Sequence, residues 1–158
     1  MAVGERRITA PRIIVATGGR PSVPPIPGLA ETPHHTNETI FSLAHQPRRL
    51  GVIGGGTIGC EMAEAFAMLG TEVVLVERAE RLLPQEEAEA SAIVEASLSA
   101  RGVTVITGTG IEAVGRSPGG VELRLAGRTI EVDKVLLAAG RTPNTEGLGL
   151  DELGASFD

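Results

Sequence analysis

Residues 50–77 read LGVIGGGTIGCEMAEAFAMLGTEVVLVE. Leu50–Ile53 is a short apolar run bounded by glycine, suited to a buried parallel strand. Gly54, Gly56 and Gly59 take the three glycine places of G-x-G-x-x-G. The first permits the tight turn out of the strand. The second lets a pyrophosphate approach the backbone without meeting a Cβ, and the third lets the following helix pack close to the strand. The helix begins at the turn, so its unpaired N–H groups and positive dipole end point at the phosphates. Ile58, Met62, Ala65, Phe66 and Leu69 recur at helical spacing and predict one apolar face. Gly70 is the expected stop. Val73–Val76 follows as a second strand. Glu77 closes the unit 23 positions after Gly54, near the place of an acid that bonds the adenosine ribose. Glycine-rich turns arise by chance in a chain with 21 glycines. The strand, helix and acid in sequence around this one make it a dinucleotide-binding βαβ unit.

Glu77 also bears on the choice of dinucleotide. A carboxylate there accepts ribose hydroxyls and repels a 2′-phosphate, which favours NAD over NADP. Arg78 and Arg81 pull the other way, since arginines welcome a phosphate.

Working outward, Pro11–Thr17 (PRIIVAT) is an apolar run stopped by Gly18-Gly19, read as a strand. Residues 20–49 are proline-rich and then polar, and read as an extended linker with a short helix near Ile40–Ala44. Beyond Glu77, a helix is expected from about Gln85 to Arg101, with Ala90, Ile93, Val94 and Leu98 inward and Gly102 as its cap. Val103–Ile106 is a third strand. The pattern then changes to short alternating runs, Ile111–Val114, Val121–Leu125 and Thr129–Val132, which predict an antiparallel meander in place of a crossover helix. Lys134–Ala139 is another buried strand. IIVATGGRPSVP at 13–24 and VLLAAGRTPN at 135–144 echo each other, as two strands leading to similar turns. The expected fold is therefore α/β, a Rossmann-like parallel sheet flanked by helices with a three-stranded meander.

Composition excludes several function classes. The chain has 158 residues, a formal charge of −6, three phenylalanines and neither tyrosine nor tryptophan. With no basic cluster and almost nothing for bases to stack on, nucleic acid is not an expected partner. No apolar run reaches the ~18 residues of a membrane span, and the N-terminal stretch has no signal-peptide core. One cysteine excludes an intramolecular disulfide framework, so a cytoplasmic setting is the default. Cys60 sits at a helix start, where thiols become acidic, yet it reads as a small buried hydrophobe. His34, His35 and His45 have no zinc-site spacing and read as exposed loop residues. No metal site and no catalytic residue are assigned.

The ordered motifs ATGGRPSVPPIPG, GVIGGGTIGCE, VVLVERAERLLP and VLLAAGRTPNTEGLGL resemble the middle of the flavin-dependent pyridine nucleotide–disulfide oxidoreductases, a family that includes dihydrolipoamide dehydrogenase, mercuric reductase and glutathione reductase. Glu77 leans towards the NAD-using dihydrolipoamide dehydrogenase type. The resemblance implies that the segment Ile53, Gly54, Gly55, Gly56, Thr57, Ile58 and Gly59, with Glu77 and Arg78, binds NAD. Glu61 matches a glutamate near the nicotinamide amide and the flavin. Thr57 stands where many members carry an aromatic gate. Gly110 matches a region near the adenine, and Ala139, Gly140 and Arg141 a segment near the cofactor junction. Thr17 and Gly18 match a turn that contacts FAD.

The domain reading that follows is an FAD-domain remnant with a proline-rich linker at 1–30, a linker at 31–49, the NAD-binding domain at 50–145 and a tail at 146–158. The family's redox cysteine pair is expected upstream of Ile8, and its interface domain, with a His–Glu pair, downstream of Asp158. The chain by itself is then expected to position NADH without oxidising it, and not to hold FAD alone. A nucleotide-sensing or interaction module, or a chain completing a flavoenzyme with an FAD-bearing partner, is the alternative. The 11–17 strand, deprived of its sheet, is expected to favour self-association.

Overall fold

A computed structural model of the protein describes residues 2–155. The last three positions of the expected tail lie outside the described residues. Two compact units are present, one of residues 21–141 and one formed by the residues before 21 and after 141.

The smaller unit has little regular structure. β1 (Ala2–Val3) and β2 (Arg6–Arg7) form a minimal antiparallel hairpin. β3 (Gly19–Pro21) pairs with the last strand, β12 (Arg141–Pro143). The two echoing Gly-Arg-Pro-like segments, expected as turns, are thus each other's partners. Around them, the Thr17 hydroxyl donates to Asn144 O at 2.6 Å, the Asn144 amide Nδ2 donates to Thr17 O at 3.0 Å, and Asn144 N–H donates to Gly18 O at 2.9 Å. Arg20 bridges Glu146 at 2.8 Å. The expected strand at 11–17 is not formed. Ile14 is 92% exposed, with Ile13 and Val15 about half so. An apolar β-branched run becomes a strand only where a neighbour completes its hydrogen bonds, and none of the described residues supplies one.

The larger unit has three layers. Its central sheet is parallel, in the order β4 (His35–Thr36), β11 (Lys134–Leu137), β5 (Arg49–Ile53), β6 (Glu72–Val76), β7 (Thr104–Ile106). Along β5, Leu50 and Val52 face one side and Ile53 the other. In β6 and β11 the same alternation puts Val73, Leu75 and Leu136 against the helices, and Val76, Val135 and Leu137 against the meander. The helices are α1 (Thr57–Met68) and α2 (Ala88–Ala100). Each ends in a Schellman motif. Thr71 N–H donates to Phe66 O and Gly70 N–H to Ala67 O. Val103 N–H donates to Leu98 O and Gly102 N–H to Ser99 O. The meander is β8 (Ala113–Ser117), β9 (Gly120–Leu125) and β10 (Arg128–Val132). Its Leu123 and Val132 lie so close over β5 that a Cβ on Gly51 would meet them at 2.8 and 3.2 Å.

Four expectations need correction here. On α1 the expected Met62 and Phe66 do pack, partly buried, against the core, but the most buried positions are Gly59, Cys60 and Ala63, while Leu69 is 67% exposed and Ala65 is exposed. Small side chains allow the close approach that larger apolar residues would prevent. In α2, Ser91 and Leu98 are buried and Ile93 is 70% exposed. The helix starts at Ala88 rather than Gln85, because residues 81–87 are held in a turn described below. The first meander strand runs Ala113–Ser117, two residues later than expected. Residues 20–49 are not a free linker. Leu29 and Ile40 are fully buried, β4 joins the sheet, and Ile40–Ser42 is a 3-10 turn. His34 and His35 are accordingly half-buried, whereas His45 is exposed.

One polar knot fastens the sheet. Between β10 and β11, the Asp133 carboxylate accepts the backbone N–H of Arg48 and of Arg49, each at 3.0 Å. It also accepts the Arg49 guanidinium at 2.9 and 3.1 Å. Burial alone would raise the Asp133 pKa, but these hydrogen bonds and the Arg49 charge outweigh it and hold the carboxyl below the usual carboxylate range. Asp133→Ala is expected to cost about 1–2 kcal/mol at pH 7, the low end for hydrogen bonds to a charged group, because both partners keep some solvent. A depressed carboxylate pKa contributes stability above its unfolded value, near 4, and loses it as pH falls through the folded value. Melting temperatures of the two proteins should therefore begin to draw together as pH falls below about 4, and meet only once it has passed the lowered folded value.

Candidate functional site

The register of the parallel sheet brings five strand ends level. Leu137 pairs with Thr36 and with Ile53, Ile53 with Val76, and Val76 with Ile106. The chain leaves this row at Asn37, Ala138, Gly54 and Glu77. A cleft of about 940 Å³ opens there, at the carboxyl ends of the strands. It straddles the point where β5 leads to β6 on one side and β11 sits on the other, the usual ligand position of an open α/β sheet.

The glycines at its floor answer to different demands. Gly54 has φ +109°, and a Cβ there would overlap the carbonyl of Ala138. A Cβ on Gly59 would overlap the carbonyl of Gly54. A Cβ on Gly55 would meet Leu82 at 2.6 Å and the Glu77 Cβ at 2.9 Å. These three are required by the protein's own packing. Gly56 is different. Its φ of −74° suits any residue, and a Cβ there would meet nothing within 4 Å. Gly56 is also the N-cap of α1, an end that no side chain caps. The first N–H groups of a helix have no partner within it, so this end presents donors and a positive dipole to the cleft.

Glu77 is held in place before any ligand arrives. Its Oε2 accepts Gly55 N–H at 2.6 Å and its Oε1 accepts Ala79 N–H at 2.7 Å. The carboxylate thereby pins the glycine turn to the end of β6. Each oxygen retains capacity for a further donor. The rim beyond it is a built turn. Arg81 donates to Glu86 O at 2.7 Å and Pro84 O at 3.1 Å, the Ser91 hydroxyl donates to Leu82 O at 2.6 Å, and Leu83, at φ +46°, donates its N–H to Gly55 O at 2.8 Å. Arg81 is therefore committed to the rim, while Arg78 lines the cleft beside Gly110.

Of the residues expected to bind NAD, Ile53, Gly54, Gly56, Thr57, Ile58 and Glu77 line this cleft, as do Arg78, Gly110, Ala139, Gly140 and Arg141. Gly55 and Gly59 are buried beneath it. Glu61 is exposed and lines a smaller cavity of about 230 Å³ between α1 and α2. Thr17 and Gly18 belong to the smaller unit. Sequence reasoning missed the cleft's other polar wall, Asn37, Thr109, Gln85 and Glu86, and the contribution of Pro24, Pro25 and Ile26. The proline segment is fixed by Val114 N–H donating to Pro27 O at 2.8 Å.

Cys60 is buried under α1, its Sγ 3.5 Å from Gly55 O. Burial, reinforced by the negative charges of Glu77 and Glu61, pushes its thiol up to about 11. It is neutral at physiological pH and structural. Among the described residues no cluster of histidine, cysteine and acid is placed to hold a metal, and no helix is long and apolar enough to cross a membrane.

A family model described as pyridine nucleotide-disulphide oxidoreductase matches residues 2–158. The mercuric reductase of Staphylococcus aureus is 40% identical over 156 residues, a match that covers 96% of this chain and 28% of that protein. Among solved structures, the HOCl-induced flavoprotein disulfide reductase RclA of Escherichia coli superposes with a TM-score of 0.83 at 32% identity, covering 90% of this chain and 33% of that one. The water-forming NADH oxidase of Lactobacillus brevis, bound to NADH, gives a TM-score of 0.75 at 29% identity, covering 82% and 30%. The chain spans about a third or less of the length of these relatives.

Proposed function

This chain belongs to the pyridine nucleotide-disulphide oxidoreductase family, and on that premise we propose that its larger unit holds NAD(H) and positions the nicotinamide for hydride transfer to a flavin. The observation that carries the reading is Gly56. Neither its backbone angles nor its neighbours ask for glycine, so the space its missing Cβ leaves at an uncapped helix end is kept for a molecule outside the chain. A pyrophosphate is the group whose charge and oxygens match those donors. The cleft is large enough for a dinucleotide laid across the strand ends.

Glu77 favours NAD. Its pinned carboxylate accepts ribose hydroxyls, and a 2′-phosphate would be placed against a fixed negative charge. Arg78 is the one arginine of the pair that lines the cleft. Glu77→Ala should weaken NADH binding by about tenfold and NADPH binding much less, so the ratio of the two falls. That ratio, measured by titration, is insensitive to a general loss of stability. An unchanged ratio would remove the role given to Glu77.

In the complete enzymes of this family flavin is the group that would accept the hydride, and the resemblance puts Thr17 and Gly18 on its side. Positioning a donor without its acceptor does not produce turnover, and the chain's one cysteine is buried and neutral. The purified chain is therefore expected to show no flavin absorbance and to leave NADH unoxidised when lipoamide or glutathione disulfide is added. A yellow protein, or steady loss of NADH absorbance, would contradict this.

A further inference from the structure

We propose that Leu83 is a positioning residue: its left-handed backbone anchors the Gly55–Gly56 peptide and so aims the Gly56 N–H before any ligand arrives. The inference rests on the dinucleotide reading above. Leu83 is the one described residue other than glycine with a positive φ, at +46°. A Cβ is crowded by the backbone in that region. Pro84 comes next, and the residue before a proline is driven towards extended backbone. Two local preferences are therefore overridden at one position. The surrounding turn holds it there. The Ser91 hydroxyl takes Leu82 O, the Arg81 guanidinium takes Pro84 O and Glu86 O, and Glu86 N–H donates to Leu83 O at 2.9 Å. Strain maintained by so many bonds at the rim of a cleft points to a use.

What the conformation delivers is the Leu83 N–H, donated to Gly55 O at 2.8 Å. The Cys60 Sγ approaches the same oxygen at 3.5 Å. The chain has no cis peptide bond, and a trans peptide is planar, with its C=O and N–H opposed. Anchoring the Gly55 carbonyl therefore fixes the direction of the Gly56 N–H. That N–H has no hydrogen-bond partner among the described residues, and Gly56 lines the cleft. A peptide between two glycines is otherwise free to turn, since neither side carries a Cβ. Glu77 fixes the peptide before it through Gly55 N–H, and Leu83 fixes this one. A donor already aimed binds an anion without the cost of ordering it first.

The side chain offers a competing role, because Leu83 lines both the cleft and the smaller cavity between the helices. The two roles predict opposite orders of affinity among substitutions. Leu83→Gly and Leu83→Asn accept a left-handed backbone and keep the N–H. Leu83→Val keeps an apolar side chain, but its branched Cβ resists that backbone.

NADH is titrated into the full chain and the three variants, with a melting curve on each sample so that folded proteins are compared. Leu83→Gly and Leu83→Asn should bind within about twofold of the parent, and Leu83→Val about tenfold more weakly, the worth of one charge-assisted hydrogen bond. Should Leu83→Val fail to fold, the other two decide: parental affinity supports the assignment, and a tenfold loss in both overturns it. The reverse order, with Leu83→Val near the parent and the other two weakened, would give the role to the side chain and overturn the proposal. Equal affinity in all four proteins, or equal weakening in all three variants, would overturn it as well. Each of these leaves the dinucleotide site standing, whereas a parent chain that binds no NADH would overturn that reading and this one with it.

Discussion

Gly56→Ala should weaken NADH binding by about 100-fold while moving the melting temperature by no more than about 2 °C. The first half follows from what a methyl group would displace. An anion at a helix N-terminus gains from short, charge-assisted hydrogen bonds to backbone N–H groups. Losing two of these accounts for the factor. The second half follows from the fold. The backbone at Gly56 has an ordinary φ of −74°, and the added Cβ meets no protein atom within 4 Å. Alanine would even remove some chain entropy from the unfolded state. Titration and a melting curve on the same preparation check both halves. Undiminished binding would mean that the space above Gly56 is not where the ligand lies.

Gly59→Ala should have the opposite character. Its Cβ would be driven into the carbonyl of Gly54, backbone against backbone, where no side chain can rotate away. The helix would have to lift off β5, and with it Cys60 and Ala63 from the buried core. A loss of at least about 4 kcal/mol is expected, beyond the usual range for overpacking because neither partner can yield. Against a total stability of roughly twice that for a domain of this size, much of the chain would unfold at modest temperature. Circular dichroism on heating reads the effect directly. A variant that melts with the parent would contradict the close contact between Gly59 and the carbonyl of Gly54.

The contrast between these two glycines explains what could be read from residues alone. G-x-G-x-x-G with an acid 23 positions after its first glycine carries its geometry in local chemistry, and the strand, turn, helix and second strand of that unit appear where expected. The buried face of α1 was legible only in part, since Met62 and Phe66 pack against the core as expected but its most buried positions are small. Hydrophobic periodicity selects large side chains, whereas the close approach of helix to sheet is made by Gly59, Cys60 and Ala63. The Pro11–Thr17 run failed for a related reason. Its composition is that of a strand, but a strand is a relation between two segments, and its partner is not among the described residues. Asn37, Thr109 and the prolines at 24–25 carry no motif. They reach the cleft because β4 docks beside β11, because Thr109 follows β7 and donates its N–H to Glu77 O, and because Pro27 anchors on β8. Arg81 was legible as a cation and misleading as a ligand, since its guanidinium is spent on the carbonyls of Pro84 and Glu86.

The most direct test of a dinucleotide site in the larger unit is to titrate NADH into the purified chain and follow the nicotinamide fluorescence. With no tryptophan or tyrosine in the sequence, the signal belongs to the ligand alone. Saturable binding at one site per chain, lost in Gly56→Ala and weaker for NADPH, is the predicted result. A linear rise with no saturation in the parent chain, at concentrations where the protein is folded, would contradict it.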